Sequence, residues 1–106
     1  MEPIYFNSFY VAGFAYYSGV FIFNQLSIGS PVKVMLDDDN HYDANAVKLL
    51  FNGNKIGYIP RDKNPEVAAL LKAGHDIFDG AVQQISPDEH PEKQVRVVLF
   101  LNSEKT

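Results

Sequence analysis

Through most of the chain, apolar and polar positions alternate with a period of two, the spacing of half-buried strands. Between Pro31 and Leu36, Val32, Val34 and Leu36 alternate with Lys33 and Met35, which predicts a strand with one face turned inward. Val47 to Phe51 and Lys55 to Ile59 flank Asn52-Gly53-Asn54. Asn and Gly both tolerate the positive φ of a primed turn, so this stretch predicts a β-hairpin. Ile77 to Ile85 and Gln94 to Leu101 read as closing strands, the second with Val95, Val97, Leu99 and Leu101 on one face, and a polar loop from Ser86 to Lys93 separates them. Phe9 to Tyr17 is rich in Val, Phe and Tyr and predicts a further strand, bent at Gly13 by a bulge or a close backbone approach.

One segment has the helical period instead. Pro65 to Ala73 places Val67, Leu70 and Leu71 on one stripe, with Asn64 as the expected N-cap, Pro65 at the first helical position and Gly74 as a left-handed stop. Five or six short strands with one inserted helix lack the alternation a parallel sheet requires. They predict a mainly β fold, a small, partly open antiparallel barrel. With 106 residues there is room for one core, so a single domain over 1–106 is expected, its core at about 9–101 and its last few residues frayed.

Composition narrows the chemistry. The chain has no cysteine, which removes disulfides, thiolate metal sites and thiol nucleophiles and fits a reducing compartment. Met1 to Asn7 lacks the positive start of a secretory signal, and the most apolar window, Phe9 to Phe23, is shorter than the roughly 20 residues that span a bilayer. A soluble, cytoplasmic protein is expected. Net charge is −4, so no basic field covers the whole domain. Asp37 to Asp43 holds four acids and no base, whereas Asn45 to His75 carries Lys48, Lys55, Arg61, Lys63 and Lys72 against Asp62 and Glu66. An anion site belongs in that middle stretch.

No catalytic constellation emerges. Starting a calcium loop at Asp37 puts Tyr42 and Lys48 where the EF-hand needs glycine and glutamate. The serines lack a nucleophile elbow, and no phosphate-binding glycine loop is present. His41, His75 and His90 have no ligand spacing and are expected at the surface. Neither a metal nor a cofactor is indicated.

Three segments carry the distinctive chemistry: GFAYYSG from Gly13 to Gly19, NHYDANAV from Asn40 to Val47, and GNKIGYIPR from Gly53 to Arg61. In this order and spacing they resemble the HIRAN domain family, found alone in bacteria and fused to helicase and ubiquitin-ligase modules in eukaryotic fork-remodelling proteins. The resemblance runs from about Phe9 to Leu101. It implies an OB-like barrel that binds without catalysing, a part in DNA repair, and a grip on the 3′ end of single-stranded DNA. It assigns base stacking to Tyr16 and Tyr42, with the strand end held between them in one groove that Arg61 shares, the terminal 3′-hydroxyl to Asp43, and a phosphate to Arg61, with Lys63 or Lys55 nearby and Tyr58 at the site or packed at its rim. Stacking tolerates any base, a carboxylate accepts from a hydroxyl and repels a phosphate, and a guanidinium fork matches phosphate oxygens.

The chain departs from the family's pattern at three places. Ala15 stands where the DNA-binding members have a basic residue, Tyr58 stands where they have histidine, and His41 replaces a proline. The loss of a phosphate contact at Ala15 implies weaker binding and a flatter salt dependence. The alternative is a protein-interaction or adaptor domain on the same fold, with a partner such as a helicase or nuclease; the net negative charge favours it.

Overall fold

In the computed structural model, the described residues are 3–17 and 19–102, except the side chains of residues 15, 19 and 20. The expected fraying of residues 103–106, Ser18 of the first motif and the side chain of Ala15 lie outside them. Six strands form one antiparallel sheet: β1 (Ile4–Tyr10), β2 (Pro31–Leu36), β3 (Val47–Phe51), β4 (Asn54–Tyr58), β5 (Phe78–Ile85) and β6 (Val95–Leu101), in the order β1-β6-β5-β2-β3-β4. A short helix α1 (Gly19–Ile22) follows a 3-10 turn at Phe14–Tyr16, and α2 (Pro65–Lys72) connects β4 to β5. No helix among the described residues is long and apolar enough to cross a membrane.

The hairpin forms as its sequence requires: Phe51 pairs with Asn54 across Asn52 (φ 50°) and Gly53 (φ 81°), both left-handed as in a type I′ turn. Inward positions of β2, β3, β4 and β6 fill the interior, with Val47, Leu49, Ile56, Val97 and Leu99 fully buried. Helix α2 buries Val67 and Ala68, while Leu70 and Leu71 pack only partly against the core, so the inward stripe lies nearer the helix start than expected. Its end follows the Schellman pattern, with His75 N–H donating to the Leu70 carbonyl and Gly74 N–H to that of Leu71, each at 3.0 Å.

Two expectations are corrected. Phe9 to Tyr17 is not one bent strand: β1 starts earlier, at Ile4, and ends at Tyr10. Gly13 then adopts φ 72°, and Tyr16 N–H closes a turn onto its carbonyl at 2.9 Å. A left-handed residue stops a strand, and the apolar residues beyond it become a turn and a second helix. Asn64, in turn, precedes α2 without capping it. Its backbone is helical (φ −89°, ψ −21°), and its side chain makes no bond to the helix N-terminus.

Between Tyr10 and Gly13 the chain crosses from one sheet edge to the other. Val11 N–H still donates to Val95 in β6, at 2.9 Å, while Ala12 exchanges two 2.9 Å backbone bonds with Tyr58 at the end of β4. Elsewhere β2 and β5 pair at Pro31–Ala81 and Val32–Gly80, and Gly29 and Ser30 before β2 extend the contact through bonds of 2.8 and 2.9 Å with Val82. The result is a partly open barrel whose far edges meet at one bridge.

Gly57 makes that bridge possible. A Cβ there would stand 2.4 Å from the Ala12 carbonyl oxygen and 2.5 Å from Val11 Cγ1, on a backbone at φ 151° that side chains rarely adopt. Gly57→Ala is expected to cost at least about 2 kcal/mol of stability, from strain and the displaced bridge together. Urea unfolding measures it, and an undiminished midpoint would show that the bridge is dispensable.

Candidate functional site

The loop between β2 and β3 bonds largely through its own side chains. Asn40 Oδ1 accepts from the N–H groups of Tyr42 at 2.8 Å and Asp43 at 3.0 Å. Asp43 Oδ1 accepts from Asn45 N–H at 2.9 Å, and the Asp43 carbonyl accepts from Ala46 N–H at 3.1 Å. Such side-chain turns fix the backbone on both sides of Tyr42. The Tyr42 ring projects from this rigid base and is 89% exposed.

Asp43 joins the loop to two other pieces of chain. Its Oδ2 accepts from Asn64 Nδ2 at 2.9 Å and lies 3.6 Å from Arg61 Nε. Arg61 Nη2 donates to the Tyr42 carbonyl at 3.1 Å, and Lys72 Nζ donates to Asn45 Oδ1 at 2.9 Å from the last turn of α2. Asn64 is 2% exposed, so its amide is committed to this bond. The Asn45 N–H and then the Asn64 amide hold the Asp43 carboxyl below the ordinary carboxylate range, partial burial opposes them, and Arg61 and Lys72 add to the lowering.

On the β4 side, the Tyr58 hydroxyl donates to Asp37 Oδ2 and accepts from Lys55 Nζ at 3.2 Å. Its ring meets Tyr17 edge to face, with centroids 5.5 Å apart. Lys55 Nζ sits 4.5 Å from the Tyr17 centroid and 5.1 Å from that of Tyr58. Burial, then the bond to Asp37, pushes the Tyr58 hydroxyl well above its usual pKa, and the same bond holds the Asp37 carboxyl down. Tyr58 is thus half-buried rim packing with its polar end already engaged.

Tyr42, Asp43, Tyr58 and Arg61 line one concavity of about 190 Å³, together with Ala12 and Pro60. Tyr16, also 89% exposed, does not line it: it lies in a second concavity with Tyr17, Phe21 and Lys55. Tyr17 of the second hollow meets Tyr58 of the first, and the expectation of one groove shared by Tyr16, Tyr42 and Arg61 is corrected: Arg61 is with Tyr42, and Tyr16 lies in the neighbouring hollow because the turn at Gly13 carries it to the far side of that ring pair. Lys63 is exposed in the turn that Lys63 N–H closes onto the Pro60 carbonyl at 2.9 Å, and it lines neither hollow. His41, His75 and His90 are exposed.

Four participants were not anticipated from the sequence. Asn64 and Asp37 each bond a partner 21 residues away, a separation no local pattern encodes. Lys72 was visible only as one of the five cations of the middle stretch, and Phe21 only as part of the apolar window Phe9 to Phe23.

The HIRAN domain family matches the chain over residues 4–102. Among solved structures, a protein from Lactobacillus plantarum is 24% identical with a TM-score of 0.80, the match covering 94% of this chain and 95% of that one. The HIRAN domain of human HLTF is 22% identical with a TM-score of 0.65, over 96% of this chain and 82% of that one. At these identities the two structures show the shared fold. No curated protein matches the chain.

Removal of the buried amide tests the joint around Asp43. A hydrogen bond to a charged group contributes about 1.5–3 kcal/mol, so Asn64→Ala is expected to lower stability by that order, and Lys72→Ala by less than about 1 kcal/mol because its bond is exposed. Equal, small losses in urea unfolding would show that Asn64 does not hold the loop.

The lowered Asp43 pKa also sets a direction with pH. Its contribution is fully present above the unfolded value and is lost as pH falls through the lower folded value. Asp43→Asn is expected to be less stable at neutral pH and to lose less further stability between about pH 5 and pH 2. An acid limb unchanged from the parent protein would assign that dependence to other carboxylates.

Proposed function

The chain belongs to the HIRAN domain family, a family of DNA-binding domains that bind rather than catalyse, and from that premise we propose that it holds the 3′ end of a single DNA strand at the hollow beside Tyr42. The observation that carries this reading is the Tyr42 ring, exposed on a loop whose Tyr42, Asp43 and Asn45 amides are bonded to side chains of the same loop. A flat aromatic face on a preorganised base loses little entropy when a nucleobase stacks on it, and a stack is worth about 1–3 kcal/mol whatever the base.

The groups around the ring suit a strand end. Arg61 uses Nη2 and Nε on the Tyr42 loop, and its remaining donors meet a phosphate. Asp43 keeps acceptor capacity beyond its bonds to Asn45 and Asn64, enough to accept from a terminal hydroxyl, and its charge disfavours a 3′-phosphate at the same place. Lys55 supplies a cation toward Tyr16, and Lys63 adds to the local field. The adaptor reading, in which the partner is a protein such as a helicase or nuclease, rests on the net charge of −4.

Titration of fluorescent oligonucleotides separates the two. An oligonucleotide with a free 3′-hydroxyl is expected to bind more tightly than its 3′-phosphorylated twin, with Tyr42→Ala weakening binding by about tenfold or more and Asp43→Ala erasing the preference between ends. Arg61→Ala is expected to reduce the salt slope by about 0.7. If both oligonucleotides are ignored at low salt, the adaptor reading takes over.

A further inference from the structure

We propose that the hollow formed by Tyr16, Tyr17, Phe21 and Lys55 is a second subsite for the same strand, in which Phe21 stacks an internal base and Lys55 meets the phosphate beside it. The proposal rests on the strand-end reading above and extends it to Phe21, a residue outside the three sequence motifs.

Phe21 is the starting point. It sits on the short helix α1 with its ring 87% exposed, although its neighbours Ile22 and Phe14 are buried in the core. A lone exposed phenyl ring is ordinary. This one shares a hollow of about 370 Å³ with Tyr16, itself 89% exposed, so two open aromatic faces border the same space.

The hollow has a fixed cation as well. Lys55 Nζ is held by the Tyr58 hydroxyl at 3.2 Å and by the Tyr17 ring face at 4.5 Å. A lysine anchored this way loses less freedom on meeting an anion than a solvated one. Aromatic faces beside a placed cation are the combination that single-stranded nucleic acid uses, bases on rings and backbone on charge.

Position argues for an internal nucleotide. This hollow abuts the Tyr42 hollow across the Tyr17–Tyr58 contact, so a strand whose end lies at Tyr42 passes over that ring pair to reach Phe21. The carboxylate suited to a terminal hydroxyl, Asp43, lines only the Tyr42 side.

Length dependence tests the proposal. The probes are 5′-fluorescein oligodeoxythymidylates of two and six nucleotides, both with free 3′-hydroxyls. Phe21→Ala is expected to weaken the six-nucleotide probe about tenfold, one lost base stack, and to leave the two-nucleotide probe unchanged, whereas Tyr42→Ala weakens both. Phe21→Trp, which keeps an aromatic face, is expected to restore the longer probe, and thermal melting of the variants checks that the exposed position leaves folding intact. Equal affinity of Phe21→Ala and the parent protein for the longer probe, with Tyr42→Ala still defective, would overturn the subsite and spare the strand-end reading. Failure of the parent protein to bind either probe would overturn both.

Discussion

A carboxylate set among three chain segments is stable only if its lone pairs are taken up, and the donors that do this also fix where the segments stand. Asp43 is in that position. Its Oδ1 takes the Asn45 N–H within the loop and its Oδ2 the Asn64 amide before α2, with the Arg61 guanidinium paired to it at 3.6 Å from the turn after β4. The position of the Tyr42 backbone follows from these contacts, because the same loop is held at Asn40 and the same guanidinium holds the Tyr42 carbonyl. A side chain that organises the loop in this way also lines the hollow beside Tyr42.

The barrel delivers these segments to one place through the bridge at Ala12. Without it, β4 is a sheet edge, and Tyr58, Pro60 and Arg61 trail from that edge with no fixed relation to the chain leaving β1. With it, Tyr17 reaches Tyr58, and the two hollows become neighbours. Gly57 is therefore a requirement of the site as much as of the fold: its missing Cβ lets Val11 and Ala12 approach, and the approach positions the aromatic residues on either side.

Much of this was legible in the residues. The period-two strands, the Asn-Gly hairpin and the Pro65 helix all form close to their expected bounds, because each is decided by local chemistry: alternation, a primed turn, a proline at the helix start. The first third of the chain was misread for an equally local reason. Aromatic and β-branched residues signal strand until a left-handed glycine intervenes, and composition alone does not show whether Gly13 bends a strand or ends it. The Asn64 reading failed differently. An asparagine before a proline at a helix start carries a strong capping signal, and it was outcompeted by a carboxylate that only the tertiary fold brings within reach.

The same distinction bears on the missing basic residue at Ala15. Counted along the sequence, its absence removes a phosphate partner. In space, Lys55 is anchored on Tyr17 and Tyr58 and lines the hollow that Tyr16 borders. Tyr58, which stands where the family's DNA-binding members carry histidine, is what fixes it: the hydroxyl that a histidine lacks accepts from Lys55 while donating to Asp37. Lys55 is thus a cation fixed at the hollow that Tyr16 borders. Net charge over 106 residues describes such a site poorly, since at physiological salt charges more than about 8 Å away are largely screened; the acids within the site itself are Asp37, bonded to Tyr58, and Asp43.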